Sequence, residues 1–216
     1  GAASGFFILS FYSVIAGWSL AYILKLAGGD FSGTDAAYAG ETFGNLVSDP
    51  VGLTLWHSVF MVLTGAVIAR GVNKGLEAAL KILMPVLFVL LLILFGYSLT
   101  LSGFSQGLHF LFDFDFSKLT GESFVVALGH AFFTLSLGMG AIMAYGAYMP
   151  GNISIGKTVL VVGVLDTLVA LVAGLIIFPI VFTNGLEPSA GPGLLFQTLP
   201  VAFGQMPFGT VIGSLF

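Results

Sequence analysis

Two hydroxyl side chains and two glycines alternate with apolar residues in the segment 130–140, which reads HAFFTLSLGMG. Thr134 and Ser136 carry the hydroxyls, and Gly138 and Gly140 follow them. Glycine is a poor helix former, and a helix that opens inside a membrane exposes carbonyl and hydroxyl oxygens that can bind a cation or a polar substrate. The pattern therefore favours a discontinuous helix at this point. The alternative is that these small residues let a neighbouring helix approach closely.

The second feature is a lone carboxylate, Asp166, in an otherwise apolar run. It lies about two and a half helical turns after Lys157, well inside the apolar segment. No basic residue lies at that depth in this segment or in the one before it, and an isolated charge in an apolar medium is strongly disfavoured. A bound cation is the natural partner. The alternative is a protonated carboxyl group that donates a hydrogen bond to a backbone carbonyl.

The first apolar segment carries a tyrosine between two aliphatic residues. Ile8, Tyr12 and Ile15 recur at i, i+4 and i+7, so they share one face of a helix. This stripe is either a packing surface or one wall of a binding site. Tyr22, further along the same segment, is expected to anchor the helix at the membrane surface.

The remaining residues with reactive side chains give little support to an enzyme. His130 lies one turn before Thr134, as either a proton acceptor or a structural hydrogen-bond donor, and we favour the structural role. The sequence has no cysteine, which excludes disulfides and thiolate chemistry. It also lacks the Ser-His-Asp order and the HExxH, Walker A and GxSxG patterns of common enzymes.

The elements that must position these residues are membrane helices. Of the 216 residues, 57% are hydrophobic and only 7% are charged, and the mean hydropathy is +1.08. This composition indicates an all-α, polytopic membrane helix bundle, because lipid offers the backbone no hydrogen bonds. The predicted segments are spans at about 5–28, 51–70, 75–101, 122–149 and 154–182, a connection at 183–206, and the start of another span at 207–216.

The distribution of charge predicts the orientation of the chain in the membrane. Four of the six basic residues, Arg70, Lys74, Lys81 and Lys157, lie in or beside the connections after spans two and four, which assigns those connections to the cytoplasm. The N-terminus is then cytoplasmic, and the connection 183–206 is extracellular. With so few basic residues and a net charge of −4, a nucleic-acid partner is excluded. Both ends of the sequence run through apolar segments, so we expect an internal piece of a longer protein.

These features together resemble a known family. The string FFTLSLGMGAI at 132–142, with Tyr12 and Trp18 six residues apart and an acid in the following span, is similar to the neurotransmitter:sodium symporter family, and specifically to its bacterial amino-acid transporters. The resemblance covers essentially the whole chain, from the family's third transmembrane helix to the start of its eighth. It implies a partial inverted-repeat sodium symporter fold in a single transmembrane domain, 1–216, with a discontinuous helix near 134–140.

The resemblance also implies a role for individual residues. The implied substrate-binding residues are Tyr12, Ile8, Ile15, Phe133, Ser136 and Met139. Tyr12 matches the tyrosine that binds the substrate carboxylate, and Phe133 matches an aromatic lid. Thr134 and Asp166 match sodium ligands. The implied gating residues are Gly75, Pro85, Gly138 and Gly140; the Gly75–Pro85 pair matches a helix end that unwinds when the inner pathway opens.

The implied function is sodium-coupled import of an amino acid, with an apolar side chain, by alternating access across the inner (plasma) membrane. Chloride-dependent relatives have Gln at the position of His130 and Ser at that of Ala170. Since neither is present here, and Asp166 can supply a negative charge, we expect chloride not to be required. The implied partners are the amino acid, the lipid bilayer and the missing helices of the full-length chain. Proton-coupled amino-acid transport and a non-transporting scaffold or pore are the alternatives.

Overall fold

A computed structural model describes residues 2–186, 188 and 193–216. Every regular element among these residues is helical, so the expectation of an all-α chain is confirmed. The ten α-helices are α1 (Ala2–Gly28), α2 (Ala36–Ser48), α3 (Pro50–Ile68), α4 (Ala78–Ser98), α5 (Phe104–Phe112), α6 (Gly121–Thr134), α7 (Ala141–Ala147), α8 (Ile155–Thr183), α9 (Leu194–Gln205) and α10 (Gly209–Leu215). A π-helical turn, Val72–Glu77, precedes α4, and a 3₁₀ turn, Phe116–Lys118, precedes α6.

Side-chain caps fix where several helices begin. Asp35 and Asp49 accept hydrogen bonds from the backbone amides at the starts of α2 and α3, at 2.9 and 3.0 Å. Thr120 and Ser123 form a reciprocal capping box at the start of α6. These bonds satisfy amides that have no partner within the helix, which is why short polar residues stand at these positions.

Four stretches in the described part of the chain are long and apolar enough to cross a membrane: Ala3–Gly28, Pro50–Ile68, Gly75–Ser98 and Ile155–Thr183. The segment predicted as a fourth span at 122–149 consists of the two shorter helices α6 and α7. The predicted connection 183–206 contains α9, and its residues 187 and 189–192 lie outside the described part.

The chain divides into two compact units. The first unit comprises Gly1–Phe11 and Phe112–Val172, and the second comprises Tyr12–Leu111 and Ala173–Phe216. The core of the second unit contains Phe31, Leu94, Ile176, Ile180 and Val201, each at most 2% exposed. Burial of such side chains stabilises the unit by the hydrophobic effect.

A cluster of aromatic rings joins α1, α2 and α9 in the second unit. Trp18 contacts Phe43 and Phe196 edge to face, at centroid distances of 5.2 and 5.5 Å. Tyr22 stacks on Phe31 and contacts Phe196. The expectation that Tyr22 anchors the helix at the membrane surface is wrong, because its side chain is only 4% exposed and packs inside this cluster.

A close contact between α5 and α8 also belongs to the second unit. The Thr183 hydroxyl accepts a hydrogen bond from the Gly103 amide at 3.0 Å and donates one to the Pro179 carbonyl at 2.7 Å. A Cβ added at Gly103 would lie 2.7 Å from the same carbonyl oxygen, and one at Gly107 would lie 2.7 Å from the Pro179 ring. Glycine at both positions is therefore what allows α5 to approach α8.

Candidate functional site

The helix that was expected to be discontinuous is interrupted between Thr134, the last residue of α6, and Ala141, the first residue of α7. We call residues 135–140 the unwound stretch. Within it, Ser136, Gly138 and Gly140 have φ values of 55°, 77° and 83°. Glycine reaches this left-handed conformation without strain, whereas a serine there is uncommon and is often found at functional sites. Alternate left-handed residues explain why the helix cannot continue.

The interruption leaves a row of carbonyl oxygens available. Among the described residues, no backbone hydrogen bond ends on the backbone carbonyls of residues 134–139. Unpaired carbonyls are costly in an apolar environment unless a ligand, an ion or water binds them. These oxygens, partly negative and fixed by the backbone, suit a hard cation or an ammonium group.

One side-chain contact joins the end of α6 to the middle of α8. The Thr134 hydroxyl donates to both carboxylate oxygens of Asp166, at 3.1 and 3.2 Å. Asp166 is half-buried and Thr134 is exposed. Both residues belong to the first unit.

The spacing of these oxygens fits a small cation. Oxygen ligands bound to one cation at about 2.4 Å lie roughly 3 to 4 Å from each other, and the Thr134 oxygen lies at this distance from both Asp166 oxygens. The carboxylate supplies the charge that a cation needs. These distances are equally those of ordinary hydrogen bonds, and the sodium site that the resemblance implies stays a prediction.

The other predicted site residues are divided between the two units. Eight positions lie in the first unit: Ile8, Phe133, Thr134, Ser136, Gly138, Met139, Gly140 and Asp166. Four positions lie in the second unit: Tyr12, Ile15, Gly75 and Pro85. Thr134 and Asp166, both in the first unit, are in contact.

The predicted gating pair lies at irregular points of the helix that contains α4. Gly75 is buried within the π-helical turn, and a Cβ placed on it would overlap the carbonyl oxygen of Val67. Pro85 lies inside α4, where it removes one backbone hydrogen bond. Sequence spacing gave no signal for the π-helical turn, which is a feature often found near functional sites.

Comparison with known proteins identifies the family. The family sequence model described as the sodium:neurotransmitter symporter family matches residues 44–216, which is more than half of the chain. The chain belongs to the sodium:neurotransmitter symporter family. The resemblance noted in the sequence is thereby confirmed, and since the members are transporters, so is the expectation that the chain is not an enzyme.

Three relatives illustrate the similarity. The sodium-dependent transporter YhdH of Bacillus subtilis is 46% identical over 98% of this chain and 47% of its own length. A sodium-dependent transporter of Haemophilus influenzae is 34% identical over 100% of this chain and 48% of its own length. The crystal structure of MhsT in complex with L-phenylalanine is similar with a TM-score of 0.92 and 44% identity, over 100% of this chain and 49% of that one. The chain thus spans about half the length of the relatives it matches.

Proposed function

We propose that the intact protein imports an amino acid with an apolar side chain, coupled to the entry of sodium, by alternating access. The observation that carries the proposal is the contact of the Thr134 hydroxyl with both oxygens of Asp166, next to the unpaired carbonyls of the unwound stretch. Membership of a sodium symporter family supports it. So does the similarity to MhsT, whose structure contains L-phenylalanine.

In this proposal Thr134 and Asp166 hold the sodium ion through three oxygens. The neighbouring carbonyls, together with Ser136, receive the ammonium group of the substrate. Tyr12 binds the substrate carboxylate through its hydroxyl. A cation beside a carboxylate in a site of low dielectric constant attracts it strongly, so the ion and the substrate each raise the affinity of the other.

The apolar residues around this site set the class of substrate. Ile8, Ile15 and Met139 form the wall around the substrate side chain, and Phe133 closes over it. An aliphatic and aromatic wall favours an apolar side chain, because a polar one would lose its hydrogen bonds to water. The position of Asp166 supplies a fixed negative charge, and we propose that transport does not require chloride.

Conformational change is assigned to the irregular helices. Gly138 and Gly140 let the unwound stretch adjust around the substrate. The π-helical turn with Gly75, followed by Pro85, is the place where α4 loosens when the inner pathway opens. We further propose that the protein lies in the plasma membrane with the N-terminus of this chain on the cytoplasmic side.

Uptake of radiolabelled L-phenylalanine into proteoliposomes that contain the intact protein tests the proposal. An inward sodium gradient should drive accumulation, and replacing sodium with potassium should abolish it. A pH gradient without sodium should have no effect; accumulation under that condition would instead favour proton coupling through Asp166 or His130. Absence of accumulation for every apolar amino acid tested would refute the proposed function.

A further inference from the structure

Gly5, near the start of α1, faces the unwound stretch. A Cβ placed on Gly5 would lie 3.6 Å from the carbonyl oxygen of Met139, and, among the described residues outside the backbone of α1 itself, this oxygen is the one heavy atom within 4 Å of that Cβ. Both residues belong to the first unit. Met139 contributes one of the unpaired carbonyls described above. The backbone of α1 therefore comes this close to the unwound stretch at a residue that has no side chain.

The position of Gly5 relates it to the wall of the proposed substrate site. Gly5 and Ile8 are three residues apart, so they lie next to each other on one face of α1. Ile8 and Met139 are two of the residues that the proposed function assigns to the wall around the substrate side chain. Residue 5 thus extends this wall by about one helical turn, towards Met139.

We propose that Gly5 determines the largest substrate side chain that the site accepts. The inference rests on the proposed function, since it takes the substrate to be an amino acid whose side chain lies against Ile8 and Met139. The gap between Gly5 and the Met139 carbonyl has room for one methyl group, because a Cβ there is already 3.6 Å from that oxygen. A longer side chain at residue 5 therefore displaces the unwound stretch, and Met139 with it, towards the substrate. This shortens the site for a large substrate, whereas a small substrate does not reach that wall.

The distance predicts which substitutions matter. A Cβ at 3.6 Å is in ordinary van der Waals contact, so Gly5→Ala fits without displacing Met139. Valine adds two γ carbons, each about 1.5 Å beyond the Cβ. In a helix its χ1 angle is almost fixed, so the side chain cannot rotate freely to relieve a contact with the unwound stretch.

Competition between substrates of different size tests this inference. In proteoliposomes of the intact protein, the ratio of sodium-driven L-phenylalanine uptake to L-alanine uptake is measured for each variant. Because a change of one methylene in an apolar pocket alters discrimination by roughly 10- to 200-fold, Gly5→Val should lower the ratio at least about tenfold. Gly5→Ala should leave the ratio nearly unchanged. The matched control is Gly129→Val in α6, where an added Cβ meets no atom within 4 Å.

The outcomes separate this inference from the proposed function. If the unmodified protein transports both amino acids but Gly5→Val keeps the same ratio as Gly129→Val, the inference alone is overturned. An equal loss of both substrates also overturns it, because that result indicates a purely structural role. If Gly5→Val does not fold, Gly5→Ser, which adds a single γ atom, should shift the ratio in the same direction by a smaller factor, and an unchanged ratio refutes the inference. Failure of sodium-driven uptake in the unmodified protein contradicts the proposed function itself.

Discussion

Removal of the Thr134 hydroxyl or of the Asp166 charge should weaken the binding of sodium by different amounts. Thr134→Val keeps the shape of the side chain and deletes one oxygen. Loss of a group that orients a metal ligand typically costs about 10- to 100-fold in metal affinity. The Thr134 hydroxyl shares its proton between two oxygens at 3.1 and 3.2 Å, both longer than the usual 2.7–2.8 Å. We therefore expect the lower value, roughly a tenfold loss of sodium affinity.

Asp166→Asn should have the larger effect, because it keeps an oxygen but removes the charge. Two unit charges about 4 Å apart interact by about 4 kcal/mol at an effective dielectric constant of 20. Water reaches the half-buried Asp166 and reduces this value. The sodium concentration for half-maximal binding of L-phenylalanine should thus rise between about tenfold and several hundredfold.

The assay is equilibrium binding of radiolabelled L-phenylalanine to the purified intact protein over a range of sodium concentrations. The matched control is Thr167→Val, which removes a hydroxyl next to Asp166 that bonds to the Gly163 carbonyl instead, at 2.9 Å. If Thr134 and Asp166 share one ion, the double variant should lose less than the sum of the two single losses. Shifts no larger than that of Thr167→Val, in correctly folded protein, would refute the sodium site.

Three further predictions concern chloride, orientation and packing. Transport should be unchanged when gluconate replaces chloride, because Asp166 supplies the fixed charge; loss of uptake in chloride-free medium would contradict this. The 216 residues contain no cysteine. With any cysteines elsewhere in the intact protein replaced, an impermeant maleimide should label Asn45→Cys in intact cells and Asn152→Cys only after permeabilisation; the opposite result reverses the orientation. Gly103→Ala should lower the midpoint of thermal unfolding, since overpacking costs about 1–3 kcal/mol. Gly96→Ala should not lower it, because no described atom outside its own helix backbone lies within 4 Å of the added Cβ. Equal unfolding midpoints for the two variants would refute the close-packing argument.

The parts of the fold that could be predicted are those that one segment determines by itself. The long apolar helices follow from hydropathy, and the interruption after Thr134 follows from Gly138 and Gly140, because local backbone preference decides both. The sequence also suggested that Thr134 and Asp166 share a site, and their oxygens lie 3.1 Å apart. Their role as sodium ligands stays a prediction.

The features that could not be predicted depend on contacts between distant segments. Tyr22 looks like a surface anchor in sequence, yet Phe31 and Phe196 bury it. The glycine at residue 103 is explained only by Thr183, eighty residues further along the chain. Gly5 carried no signal beyond its spacing from Ile8, because its importance comes from the carbonyl opposite it.

In the proposed function, the interruption of the helix and the binding of a cation depend on each other. An α-helix satisfies its own carbonyls, so a helix that stays intact has no backbone oxygens to offer a ligand. The unwound stretch releases the carbonyls of residues 134–139, which is costly inside a membrane unless something positive binds them. In the proposed function, a cation at Thr134 and Asp166, together with an ammonium group beside it, removes that cost. The proposed site thus needs three features at once: the hydroxyls, the glycines and the lone carboxylate. Their combination in the sequence therefore says more about a cation site than any of them does alone.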